Sequence, residues 1–263
     1  MFSTNLSASL AGPAPPASVK LPEGLSGNIA LGINLFSGNY RVKTMTFKLL
    51  ANFNIPQNLL IFRSDINYGT ISYDGKHYIE NTNNYSFEFK HLLFFHSGGK
   101  SYTFYDLQDQ SDRFRGYWNI FGIESGLGYN LFELKDLTVR GEIGMDYSQI
   151  RYTLTPEENV VSGMLFFHLS WKPLENISFL FESKYLSNLK HPHLQDYRLE
   201  SLLSSMIAIT SKIGLKIDFN IVYINLPPLI TPVDSEGKPI PGREPVPGKR
   251  ISYSLIQSIM VKF

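Results

Sequence analysis

The sequence predicts an all-β chain, folded as a transmembrane antiparallel up-and-down β-barrel of about 12 strands, within a range of roughly 10–14. Three observations predict it. First, apolar and polar residues alternate with a period of two in a dozen separate stretches, the pattern of strands with one oily and one wet face. Second, aromatics make up 14% of the chain, with 15 Tyr and 19 Phe against 2 Trp. Barrels with aromatic girdles at two membrane interfaces have this bias. Third, the stretch Ile251–Phe263 ends on an aromatic. Tyr253, Leu255, Ile259, Val261 and Phe263 share one parity, and Ser252, Ser254, Ser258 and Lys262 share the other. Gln257 breaks the oily side; Ile256 and Met260 break the wet one.

The strands follow in order. The first, Leu25–Ser37, alternates through Ile29, Leu31, Ile33 and Leu35 and ends in a tight turn at Ser37-Gly38-Asn39. The second, Tyr40–Asn54, sets Met45, Phe47, Leu49, Ala51 and Phe53 against Thr44, Thr46, Lys48 and Asn52, and turns at Ile55–Asn58. The third, Leu59–Tyr73, sets Leu60, Phe62, Ile66 and Tyr68 against Arg63, Asp65 and Asn67; a polar loop from Asp74 to Asn83 follows. The fourth, Asn84–His96, alternates most cleanly and turns at Ser97–Lys100. The fifth, Ser101–Leu107, leads into a loop holding Asp106, Asp109 and Asp112. The sixth, Arg115–Leu131, is rich in Gly and aromatics and turns over Phe132–Asp136.

The seventh strand sets Leu137, Val139, Ile143, Met145 and Tyr147 against Thr138, Arg140, Glu142 and Asp146, before a loop at Thr155–Glu158. The eighth, Val160–Lys172, turns at Pro173–Asn176. The ninth sets Ile177, Phe179, Phe181 and Tyr185 against Ser178, Glu182 and Lys184, before a loop at Ser187–Asp196. The tenth, Tyr197–Ser211, turns at Lys212–Gly214 into the eleventh, where Leu215, Ile217, Phe219, Ile221 and Tyr223 oppose Lys216, Asp218 and Asn220. A long loop, 227–250, carries seven prolines before the closing strand. Short turns on one side and longer polar loops on the other place both termini in the periplasm and the Pro-rich loop outside the cell. Two segments result: a Pro-rich periplasmic lead-in, 1–24, and the barrel, 25–263.

Composition sets limits. The 263 residues carry a formal charge of +1, which gives no reason to expect a nucleic-acid partner. Cysteine is absent, which excludes disulfides and thiol chemistry. Mean hydropathy is −0.10, and no apolar run approaches the roughly 20 residues of a membrane helix. No secretory signal is visible at Met1–Leu10, so it is expected to have been removed or truncated.

By phase, the inward face carries Lys48, Lys90, Arg140, Lys184, Arg198 and Lys216 against Glu88, Glu142, Asp146, Glu182, Glu200 and Asp218. These twelve are the expected pore-lining residues. On the lipid face a basic residue near mid-bilayer would cost about 2–4 kcal/mol. Paired, the charges brace a narrow lumen; unpaired, they line a wet channel.

Candidates for chemistry are few. His168-Leu169-Ser170 is similar to the His-x-Ser of outer-membrane phospholipase, but falls on the inward face near a periplasmic turn, with no orienting partner evident. His191-Pro192-His193 lacks further metal ligands. Asp106, Asp109 and Asp112 do not match a Ca²⁺ loop. Gly126-Leu127-Gly128 lacks the third glycine of a dinucleotide site and reads as close packing of a strand. No cofactor, metal site or catalytic residue is expected.

The closing strand resembles those of bacterial outer-membrane barrels, which implies that Tyr253, Val261 and Phe263 form an assembly signal for the barrel assembly machinery. Three further pieces resemble the salt-induced outer membrane protein family. They are Ser26-Gly27 with Gly32 and Ser37-Gly38-Asn39; Tyr105-Asp106 through Asp112-Arg113-Phe114; and Gly126-Leu127-Gly128-Tyr129. The residues between Asp106 and Asp112 and the Pro-rich loop depart from that pattern. The resemblance implies a bacterial outer-membrane location, with lipid and lipopolysaccharide as neighbours. The leading expectation is a passive, weakly selective pore for small polar solutes or ions. The alternatives are a non-conducting structural or stress-response barrel and, third, a lipid-modifying enzyme.

Overall fold

The computed structural model describes residues 24–37, 41–72, 79–96, 99–112, 116–190, 196–230, 242–247 and 250–263. The lead-in up to residue 23, Gly38-Asn39, His191-Pro192-His193, Arg113-Phe114 and the middle of the Pro-rich loop lie outside the described residues.

The described chain is all β. Its strands are β1 (Gly24–Ser37), β2 (Arg41–Ile55), β3 (Asn58–Ser72), β4 (Ile79–Phe94), β5 (Ser101–Asp112), β6 (Tyr117–Leu134) and β7 (Leu137–Tyr152). They continue with β8 (Glu158–Leu174), β9 (Ile177–Asn188), β10 (Tyr197–Ala208), β11 (Ile213–Ile224), β12 (Leu229–Ile230), β13 (Val246–Pro247) and β14 (Ile251–Lys262). β1 to β11 and β14 close into one antiparallel barrel of twelve strands, each beside its sequence neighbour. β12 and β13 form a separate two-stranded ladder inside the Pro-rich loop. No described helix is long and apolar enough to cross a membrane.

Closure depends on the last strand. β14 pairs with β11 on one side and with β1 on the other, where Asn28 faces Lys262 and Gly32 faces Ser258. Phe263 extends this seam: its N–H donates to the Gly27 carbonyl and its carbonyl accepts from the Gly27 N–H, each at 3.1 Å. A Cβ on Gly27 would lie 2.6 Å from the Phe263 ring and 2.2 Å from the Leu50 carbonyl oxygen, so only glycine seats the terminal aromatic here.

Alternation sorts the side chains. Leu31, Ile33, Ile143, Leu165, Tyr253, Leu255 and Ile259 are exposed on the outer wall. Buried polar residues such as Thr46, Asn67, Ser86, Asn220 and Ser254 point inward. Connections on one side are short: Pro56-Gln57, Lys135-Asp136 and Glu175-Asn176 each join two strands. Gln57 has a φ of 62° after Pro56, the second corner of a type II turn. The other end holds the longer connections; these ends are the turn side and the loop side below.

Several strand boundaries differ from the sequence reading. The Asp106–Asp112 loop is strand: β5 runs on to Asp112. Its Asp and Gln residues have weak strand propensity, but alternate ones point into a polar interior. β4 begins at Ile79, earlier than Asn84. β6 continues to Leu134, and a bulge between Asn130 and Phe132 turns Phe132 outward. The turn there shrinks to Lys135-Asp136. β10 stops at Ala208, so its turn starts before Lys212. Ile256 and Met260, out of phase in the last strand, are each 2% exposed and fill the interior.

Candidate functional site

The candidate site is the barrel interior. All twelve phase-assigned residues are buried or nearly so. Lys48, Glu88, Lys90, Arg140, Glu142, Asp146, Glu182, Glu200, Lys216 and Asp218 are buried outright. The Lys184 and Arg198 side chains are slightly more open. The interior also holds Arg63, Asp65, Asp106, Asp112 and Glu124. The phase of β3 already pointed Arg63 and Asp65 inward, and strand phase alone would have placed Glu124. Asp106 and Asp112 were hidden by the loop assignment. The even balance therefore gives way to seven basic groups against ten acidic ones among these seventeen residues.

Three lysines cross the interior as struts. Lys48 Nζ on β2 donates to Asp218 Oδ2 on β11 at 2.9 Å. Lys90 Nζ on β4 donates to Glu142 Oε2 on β7 at 2.6 Å. Lys184 Nζ on β9 donates to both Glu124 oxygens on β6, at 2.7 and 2.9 Å. Each strut skips two intervening strands in the barrel order. A long, flexible side chain is what such a chord requires. Lys216 adds a second cation to Asp218, at 3.0 Å. Arg63 reaches Glu88, its ladder partner, at 2.9 and 3.2 Å.

The turn side is packed. Leu59, Ile61, Leu92, Tyr102, Phe104 and Leu202 are at most 3% exposed and, with Phe166 and Leu180, form the turn-side part of one apolar cluster that continues to Tyr117, Ile120 and Ile224 at the loop side. Lys90 Nζ sits 4.7 Å from the Phe104 ring centroid and 5.0 Å from that of Phe166, so the strut is sheathed by aromatic faces. Tyr102 O–H donates to Glu142 Oε1 at 3.0 Å. A Cβ on Gly128 would lie 2.2 Å from the Tyr102 ring. That glycine lets the tyrosine lie flat on the wall, in keeping with the close packing expected of Gly126-Leu127-Gly128.

The loop side is less filled among the described residues. A chamber of about 230 Å³ there is lined by Glu124, Asp146, Ser148, Glu158, Lys184 and Arg198, among others, with Tyr117, Tyr152 and Tyr197. A separate groove of about 660 Å³ lies over the outer wall of β5 to β9, lined by Leu127, Tyr129, Ile143, Leu165, Phe167 and Tyr185.

His168 does have an orienting partner, which the sequence reading missed. Its Nδ1 lies 2.8 Å from Glu182 Oε1, across the β8–β9 ladder, and 3.4 Å from an Arg140 nitrogen. Both His168 and Glu182 are fully buried, and His168 Nε2 has no hydrogen-bond partner among the described residues. A histidine without solvent access is part of the packed polar interior. Among the described residues no group of three acidic or histidine side chains is placed to hold a metal.

Comparison with known proteins agrees with this architecture. No curated protein matches the chain. An outer membrane channel from Pseudomonas putida F1 superposes with a TM-score of 0.52 at 8% identity, covering 96% of this chain and 100% of the channel. The KdgM porin gives 0.47 at 9% identity, over 90% and 99% of the two chains. The NanC porin gives 0.45 at 10%, over 91% and 98%. Such identities speak to fold alone. Residues 29–236 match the family described as "Protein of unknown function, DUF481", and the chain belongs to that family.

Proposed function

We propose that this chain is a porin-like barrel of a bacterial outer membrane, acting as a narrow passage for small ions or polar solutes and not as a wide diffusion pore. The observation that carries this reading is the set of lysine struts: Lys48, Lys90 and Lys184 each reach a carboxylate across the interior. They divide a polar lumen into gaps far smaller than the barrel. The outer wall supports the membrane placement. Its exposed Leu, Ile and Phe side chains form a continuous apolar surface, which in water would be a liability and in lipid is required. The twelve inward charged residues then line the passage. Outer-membrane lipid and lipopolysaccharide would surround it. Tyr253, Val261 and Phe263 would serve as the assembly signal, with residues 1–24 as periplasmic lead-in and 227–250 as an external loop. The likeness of the Gly and Asp-Arg-Phe segments to salt-induced outer membrane proteins is consistent with a stress-related role.

A second reading is a non-conducting structural barrel. The apolar cluster favours it, because Ile61, Leu92, Tyr102, Phe104 and Leu202 are fully buried on the turn side and leave no water path among themselves. Conductance of the refolded protein in a planar bilayer separates the two. Small discrete steps, enlarged in a Lys90→Ala/Glu142→Ala double variant, support the narrow passage. Silence from wild type and double variant alike, in protein shown to be folded by heat-modifiable gel mobility, establishes the structural reading.

A further inference from the structure

The groove over the outer wall has a local cause in the sequence. Along one ladder row Ser101 faces Tyr129, Tyr129 faces Gly141, Gly141 faces Phe167 and Phe167 faces Ser183. Opposed residues share a face of the sheet, so a glycine stands between two aromatic side chains, both exposed on the outer wall. A Cβ on Gly141 would meet nothing closer than 3.8 Å, which leaves a notch between the rings. Leu127, Ile143 and Leu165, in the next outward row toward the loop side, form its upper edge.

The groove also climbs. Counted from the turn side, Ser101 is the first residue of β5, Gly141 the fifth of β7 and Ser183 the seventh of β9. From β5 to β9 the strand spacings, about 4.8 Å each, make a path of roughly 19 Å. The hydrocarbon core of a bilayer is about 30 Å thick, so a slanted path of this length, begun at the turn-side border, stays within about one leaflet. Tyr129, across the ladder from Ser101, is of a residue type enriched at headgroup level. Lys100, next to Ser101, is exposed at this lower end. Among the described residues no carboxylate lies within ion-pair distance of it.

We propose that this groove binds one anionic phospholipid of the turn-side leaflet, with its phosphate at Lys100 and one tail laid over Gly141. The order of the features matches an amphiphile: a cation at the membrane border, then an apolar channel rising into the hydrocarbon. The phosphate supplies the anion that no described side chain gives Lys100. The groove's 660 Å³ lies within the roughly 300–1,000 Å³ of small-molecule sites. The proposal rests on the membrane placement argued above, and goes beyond it because a plain lipid-facing wall selects no particular lipid.

The test is native mass spectrometry of the full-length refolded protein in non-ionic detergent, titrated with phosphatidylglycerol or with zwitterionic phosphatidylethanolamine. One saturable phosphatidylglycerol adduct is expected, ahead of phosphatidylethanolamine. Gly141→Leu fills the notch and removes that adduct; its backbone has no positive φ, and a Cβ fits. Gly163→Leu keeps the adduct: this outward glycine, opposite exposed Met145, also has room for a Cβ but lies outside the groove. Lys100→Gln weakens phosphatidylglycerol up to about fivefold, the worth of one exposed ion pair, and levels the two lipids. If Gly141→Leu does not fold, the lipid ratio in Lys100→Gln decides. Adducts spread without a distinct first site, a first adduct that survives Gly141→Leu, or a lipid preference unchanged in Lys100→Gln overturns the proposal. So does a dimer that Gly141→Leu dissolves, which would give the groove to a second copy of the chain. A protein that enters lipid vesicles yet shows no distinct adduct sinks the groove alone; one that fails to enter them sinks the membrane reading beneath it.

Discussion

The turn-side and loop-side halves of the interior contain the same kind of ion pair in opposite settings. On the turn side, Lys90 and Glu142 meet at 2.6 Å beneath the Phe104 and Phe166 rings, beside fully buried Leu92 and Tyr102. On the loop side, Lys184 and Glu124 meet at 2.7 Å on the border of a chamber. Geometry alone would rank the two pairs equal. What differs is what surrounds them. A dry pair is cross-linked into its walls, and removing one member strands the other; a pair beside water can exchange its partner for solvent. The turn side therefore reads as a brace, and the loop side as a place where water can stand in for a partner.

The largest effect should come from breaking the dry pair. Lys90→Met leaves Glu142 buried without its cation, and a loss of about 3–5 kcal/mol is expected. Lys184→Met leaves Glu124 next to the chamber, where water can take the place of the ammonium, and a smaller loss than that of Lys90→Met is expected. Guanidinium unfolding of the two variants from the same detergent tests this. Equal losses would erase the distinction between the halves.

Next comes the apolar packing. Leu92→Ala removes a fully buried side chain from the turn-side part of the apolar cluster, at an expected cost of about 2–5 kcal/mol. If that cluster also blocks the lumen, the same variant should enlarge the conductance steps. Ile150→Ala, on the chamber wall where Ile150 is only partly buried, should cost less and leave conductance unchanged. A Leu92→Ala barrel that is destabilised yet shows wild-type conductance would mean that the passage runs elsewhere.

The outer wall gives the third contrast. Leu165 is 52% exposed near the middle of β8. In a bilayer, Leu165→Arg should lose about 2–4 kcal/mol. In water, the same exposed position should tolerate arginine with almost no change. Unfolding in vesicles, compared with an arginine at a loop-side strand end, separates a lipid wall from a solvated one.

Much of the fold was legible in the sequence because side-chain period is a local property. Twelve strands, their order and the inward phase of all twelve chosen charged residues follow from alternation alone. Strand ends were less legible. Asp106, Gln108, Gln110 and Asp112 read as loop because polar residues with weak strand propensity usually are; only a polar interior makes them acceptable in β5. The pairing of the charges was not legible at all. Lys90 and Glu142 lie three strands apart, and which carboxylate a lysine reaches depends on barrel curvature and strand stagger. The same holds for His168: Glu182 sits opposite it on the next strand, a contact set by register. Gln257, the polar residue in the outward stripe of β14, has no explanation in the structure.

The smallest effect should appear where an ion pair has no walls. Arg151 Nε donates to Glu157 Oε2 at 2.7 Å, nearly the length of the Lys90–Glu142 contact, but between the loop-side end of β7 and the exposed loop that follows it. The Arg151 hydrogen bond, helped by one from Gln149, holds the Glu157 carboxyl below its ordinary 4.5. A carboxyl lowered in the folded state contributes stability that is present above its unfolded value and is lost as pH falls through the lower folded one. Here that contribution should be too small to move the unfolding midpoint, because solvent screens the pair and competes for both partners. Glu157→Gln should therefore unfold with wild type, while a carboxyl NMR titration places the Glu157 midpoint below 4.5 and Arg151→Ala returns it toward that value. A clear loss of stability in Glu157→Gln would show that contact geometry, and not dryness, sets the strength of these pairs, and the contrast between the two halves of the interior would lose its physical basis.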